Sequence, residues 1–156
     1  MFEKLSGWVD RFATWISIIA CMVLFVTVGM QIFFRYALQS SIIWADELPR
    51  FLFVWIVWFG GSCALKRNDL ARLTSIEDRV SPAAKKYMEI LSIVLSGLFF
   101  VVFLLLSVRH ISTLSQQFSP VMRIPMRFVY LAIPLGLSLM LIHLVAKIIS
   151  LSKRKV

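Results

Sequence analysis

The sequence predicts an all-α integral membrane protein with four transmembrane helices, as a single membrane domain over residues 1–156. Three observations predict it. First, 60% of the residues are hydrophobic and the mean hydropathy is +0.85, against about 45–50% apolar in an ordinary soluble domain. A domain of ~150 residues still exposes roughly a third of its unfolded-chain surface, so lipid must solvate much of this excess. Second, four runs carry no Asp, Glu, Lys or Arg: 12–34 (23 residues), 51–65 (15), 90–108 (19) and 128–146 (19). Third, the positive residues lie between and beyond these runs, where membrane proteins keep them.

A helix rises ~1.5 Å per residue and needs ~20 residues to cross ~30 Å of hydrocarbon. The first, third and fourth runs meet this directly. The second meets it when counted back to Trp44, an interfacial anchor. The spans are therefore expected at about 12–34, 44–65, 88–108 and 127–147. Only helices and closed barrels satisfy every backbone group in lipid, and the runs lack the alternation of barrel strands. The first run is too long for a signal-peptide core and no small-residue cleavage pattern follows it, so it is expected to stay as a span.

Sidedness follows from Lys and Arg. With four spans, the N-terminal segment, the second loop and the tail share 12 of the 17 basic residues, and the first and third loops hold 5. The positive-inside rule then places both termini in the cytoplasm. The second loop is half charged and suits a short amphipathic helix around 70–80. Ser81-Pro82 reads as the start of the third span, with proline in the first turn.

The net charge of +9 invites a nucleic-acid reading, but its distribution along the rims argues for membrane lipids instead. Cys21 and Cys63 lie inside apolar runs, which suits small buried hydrophobes rather than a disulfide framework or zinc site. No cofactor or metal is expected, and the chain is not expected to be an enzyme.

The stretch IWADELPR is the most unusual in the chain. On a helix Asp46 lies four residues and Glu47 three residues before Arg50, so either acid can pair with the arginine. One reading is an interfacial ion pair closing a helix end, since an unpaired charge in hydrocarbon costs at least ~2.5–3.5 kcal/mol. Another is a contact with a second subunit or with lipid headgroups. Acid–base catalysis would need a nucleophile or base beside them, and the sequence offers none. Pro49 removes a helical N–H and disfavours helix at Leu48. Two outcomes fit: one kinked helix, or a short interfacial helix over 41–48, either capped by Ser41.

Ionisable residues within the spans mark ion paths, and here they are nearly absent. Thr27, Gln31 and Ser17 are the polar residues of the first span. His143 and His110 are expected at the interface. Small-xxx-small spacings occur at Gly60–Ala64, at Ser92–Ser96 before Gly97, and at Ala132–Gly136, and they suit close helix packing. Gly61 adjoins the first of these. Trp55 and Trp58 lie mid-span, where tryptophan faces protein.

Three stretches together resemble the small membrane subunit, the Q or DctQ-like component, of tripartite ATP-independent periplasmic (TRAP) transporters. They are FFRY (33–36), WADELPRFLFVWIVWFGGSCALKR (44–67) and SPVMRIPMRFVYLAIPLG (119–136). One departure stands out: Asn68-Asp69-Leu70-Ala71 occupies the place where many members carry a histidine, so no role for that residue carries over. The resemblance implies a bacterial inner-membrane scaffold beside a large multi-span elevator subunit. It implies docking of a periplasmic substrate-binding protein and sodium-coupled uptake of an organic acid of the dicarboxylate or sialic acid class. It assigns Trp44, Asp46, Glu47 and Arg50 to structure and subunit contact, with Trp55, Trp58, Gly60 and Gly61 in the same interface. Arg35 and Tyr36 would anchor the first span, and segments 37–47 and 112–127, with Gln116, Arg123 and Arg127, would face the delivery protein. The rival readings are a stand-alone homo-oligomeric transporter or channel and a membrane-embedded lipid enzyme.

Overall fold

Proline and polar placement set where each helix begins and ends. A computed structural model describes residues 2–67, 82–114 and 116–153. It contains α1 (Phe2–Ala37), a 3-10 turn (Ile43–Asp46), α2 (Leu48–Arg67), α3 (Pro82–Thr113), α4 (Met126–Tyr130) and α5 (Ala132–Lys153). Pro82 opens α3, and Pro49 lies in the first turn of α2, positions where the missing N–H has no intrahelical partner to lose. Pro134 cannot donate to the Tyr130 carbonyl, and the break between α4 and α5 falls at Leu131, one residue beyond Tyr130.

Among the described residues four segments are long and apolar enough to cross a membrane: Ser6–Ala37, Ile43–Arg67, Tyr87–Thr113 and Met126–Ile149. The fold is therefore all-helical with four such helices, as the sequence predicts. Among the described residues the one β-type contact is an isolated antiparallel bridge between Phe118 and Pro125.

The first helix corrects the expected boundary. It already begins at Phe2 and runs for 36 residues, about 54 Å at the usual rise. Residues 2–11 carry charge and so fall outside any hydropathy run, but charge does not forbid helix beyond the hydrocarbon. The expected helix over 41–48 is instead the four-residue 3-10 turn, capped at Ile42 without a side-chain bond; Ser41 does not cap it. The expected amphipathic helix around 70–80 lies outside the described residues.

The spans pack in series. α1 lies mainly on α2, α2 on α5, and α5 on α3. A core of Ala13, Phe59 and Cys63 joins α1 to α2, with Ile16, Trp55, Trp58 and Leu139 against it. Trp58 stacks on Phe103 at 5.9 Å, and Phe103 on Phe99 at 5.4 Å, linking α2 to α3. Trp58 thus faces another helix of its own chain, whereas Trp55 packs on Phe59 of its own helix. Large apolar side chains such as Phe25, Val26, Leu98 and Leu105 are exposed, as lipid-facing residues must be.

Two helices approach closely at Gly136. A Cβ there would stand 2.7 Å from Trp58 Cβ and 3.0 Å from the Trp58 carbonyl oxygen, so backbone meets backbone as the Ala132–Gly136 spacing predicts. Gly136→Ala is expected to lower stability by about 1–3 kcal/mol, the usual cost of overpacking. The check is the thermal unfolding midpoint in detergent; an unchanged midpoint would mean that α2 and α5 separate freely. A Cβ at Gly61 would stand 3.0 Å from the tip of Met140, a flexible neighbour, whereas one at Gly60 would meet nothing within 4 Å.

Candidate functional site

The chain concentrates its polar chemistry at the two ends of the spans. At one end, Glu47 closes the 3-10 turn and enters α2. Its carboxylate is buried and reaches the segment between α3 and α4. Oε1 accepts the Val121 N–H at 3.0 Å and Oε2 accepts the Met122 N–H at 2.9 Å. Nearby, the Ser119 hydroxyl accepts the Ile124 N–H at 3.2 Å.

The latched segment is a tight hairpin. Ser119 N–H donates to the Ile124 carbonyl at 2.9 Å, and Met126 N–H to the Gln117 carbonyl at 2.9 Å. Arg123 closes the turn with φ 52, a left-handed conformation uncommon for a residue with a Cβ. Pro120 leaves Val121 and Met122 at the tip, where successive N–H groups converge as an anion-binding concavity. Here the anion is the chain's own Glu47. The latch therefore fixes this hairpin to the start of α2.

Asp46 turns the other way. It accepts a hydrogen bond from the Gln31 amide and pairs with Arg35 at 3.6 Å, tying the end of α1 to the 3-10 turn. The expected pairing with Arg50 is thus replaced. The 3-10 geometry before Leu48 breaks the helical spacing that would bring the acids to Arg50, which is exposed and influences Glu47 only through space. Both members of the Arg35–Asp46 pair are about half exposed, so Arg35→Ala is expected to cost only ~0.2–1 kcal/mol, read from thermal unfolding in detergent.

The remaining candidates surround this latch. Trp44, Tyr36, Gln116, Arg123 and Arg127 are exposed, and Arg127 lies 5.2 Å over the Phe128 ring. Trp55 stacks at 5.4 Å on Phe59, deeper in α2. Sequence reasoning missed Gln31, Ser119 and the Val121 and Met122 amides. A backbone donor has no residue-type signal, although Ser119-Pro120 does mark a turn.

The opposite end holds a second cluster that the sequence reading missed. His143 is 4% exposed, and its Nδ1 lies 2.8 Å from the Ser6 hydroxyl. Lys66 pairs with Asp10 at 3.4 Å and donates to the Ser6 carbonyl at 3.0 Å. His143 is held inward because α1 extends far enough to bring Ser6 and Asp10, four apart on one face, against α2 and α5. His110, by contrast, is exposed and meets the edge of Tyr130 at 5.9 Å.

No group of three or more metal-ligating side chains is present among the described residues. The arrangement joins helices at both rims and leaves an apolar middle. That defines a class: a small multi-pass membrane protein built around interhelical fastenings. The chain matches the family described as tripartite ATP-independent periplasmic transporters, DctQ component, over residues 24–154, and it belongs to that family of transporter membrane subunits. It is also similar to the C4-dicarboxylate TRAP transporter small permease protein DctQ of Rhodobacter capsulatus, with 28% identity over 102 residues. That alignment covers 64% of this chain and 45% of the relative, so the chain matches less than half of the relative's length.

Proposed function

We propose that this chain is a static scaffold for a larger multi-span TRAP subunit and part of the docking surface for a periplasmic substrate-binding protein. The assembly would sit in the bacterial inner membrane, with both termini of this chain cytoplasmic. It would support sodium-coupled uptake of an organic acid, of the dicarboxylate or sialic acid class. The Rhodobacter capsulatus relative's description favours the dicarboxylate side of that range.

The observation that carries the proposal is the latch. A surface that receives a soluble partner repeatedly must hold one shape, and here a carboxylate with two backbone donors fixes the hairpin to α2. The same end presents Trp44, Tyr36 and Arg123 outward, a mix of aromatic and cationic side chains enriched at protein interfaces. On the expected topology this end faces the periplasm.

The test is sodium-driven uptake in cells that make the large subunit and the binding protein, with and without this chain. Uptake is expected to fall to background without it. Undiminished uptake would refute the scaffold role.

A further inference from the structure

We propose that the cavity at the His143 end binds a phosphate group, carried either by a phospholipid headgroup or by a free phosphate ion. The cavity has a volume of about 250 Å³ and draws its polar lining from Ser6, Lys66, Ser92, Ser96, His143 and Lys147. Among the described residues no carboxylate lines it. Asp10 and Glu89 hold the two lysines from outside, at 3.4 Å and 4.0 Å. The lining therefore offers donors and positive charge, which is the chemistry of an anion site.

The hydroxyls make the same point independently. Ser17, Thr27, Ser62, Ser107 and Ser138 each donate to a carbonyl of their own helix. Ser92 and Ser96, one turn apart on α3, make no such bond among the described residues. Ser92 is exposed and Ser96 half-buried, so on the cavity wall both hydroxyls are placed to donate to a bound acceptor. His143 adds a third signal: its Nε2 is buried with no hydrogen-bond partner among the described residues. With the Ser6 hydroxyl donating to Nδ1, Nε2 bears the ring proton and is a further donor.

Two ammonium groups, two hydroxyls and an imidazole N–H exceed what the two oxygens of a carboxylate need. A tetrahedral phosphate has acceptor sites for all of them, and lysine binds phosphate as a point charge. Leu65, Ile93, Leu144 and Ala146 form the apolar remainder of the wall, which suits the glycerol end of a headgroup. A basic site at the expected cytoplasmic rim also suits an anionic leaflet.

The test uses the full chain purified in mild detergent, with bound lipid measured by native mass spectrometry. A delipidated sample is then titrated with inorganic phosphate and followed by thermal unfolding. The variants are Ser92→Ala/Ser96→Ala, which removes only donors, and Ser96→Leu, which fills the cavity. Helical circular dichroism confirms that each variant folds. The expected result is phospholipid retained by the wild type and bound about tenfold more weakly or worse by both variants, the factor for losing hydrogen bonds to a charged group. Absence of lipid, with a phosphate-dependent rise in the unfolding midpoint that both variants lose, would assign the site to the free ion. Equal lipid retention and equal phosphate response in wild type and variants, or no binding of either probe by the wild type, overturns the proposal.

Discussion

Glu47→Ala is expected to free the hairpin between α3 and α4 and to disrupt the complex more than any other single change at that end. The substitution removes both acceptors of the Val121 and Met122 amides. Those donors cannot be re-paired within the hairpin, since its carbonyls at Gln117 and Ile124 already accept bonds. The Val121 and Met122 amides should therefore exchange with solvent faster, while α5 keeps its protection, because local opening need not involve the packed helices. Most co-purification with the proposed large subunit should be lost. Glu47→Gln keeps one carbonyl acceptor and should be intermediate. Arg50→Ala should change little, because Arg50 contacts neither acid. If Glu47→Ala leaves both exchange and co-purification unaltered, the latch has no part in assembly.

Lys66→Met is expected to destabilise the isolated chain by about 3 kcal/mol, the lower end of the range for stranding one member of a buried ion pair. Asp10 and Lys66 are largely shielded, with side chains 16% and 29% exposed. Lysine removal leaves Asp10 with one oxygen already unpartnered among the described residues and a second newly so. It also deprives the Ser6 carbonyl of its donor. The double change Asp10→Asn/Lys66→Met should recover much of the loss, because uncharged replacements of buried pairs are often neutral. A double-mutant cycle on thermal unfolding in detergent measures the coupling. A double variant as unstable as the single one would show that packing, not charge, joins these helices.

The four spans were legible because lipid imposes a length and an apolar composition that few other environments demand. The Ala132–Gly136 contact was legible for a similar reason, as only small residues let backbones meet. The rim was read less well. Asp46 and Glu47 stood out as a site, but helical spacing pointed to Arg50, and a single 3-10 turn redirected both acids. Glu47 found its partners 74 and 75 residues away, on backbone atoms that every residue carries. The partner of His143 was not legible because the hydropathy run begins at residue 12, whereas α1 begins ten residues earlier and brings Ser6 to it. Charge ended the run without ending the helix.

The length of α1 between its two fastenings has a consequence for the surrounding lipid. From Asp10 to Gln31 the helix covers ~32 Å, and from Ser6 to Arg35 ~44 Å, at 1.5 Å per residue. These distances match the ~30 Å hydrocarbon layer and the ~40–45 Å of a bilayer with its headgroups. A helix tied at both ends cannot tilt to suit a thinner or thicker bilayer without breaking one tie. The lipid must deform instead, at a modest cost per ångström of mismatch. A neighbour that moves along such a wall would do so in a membrane whose local thickness the wall has already set.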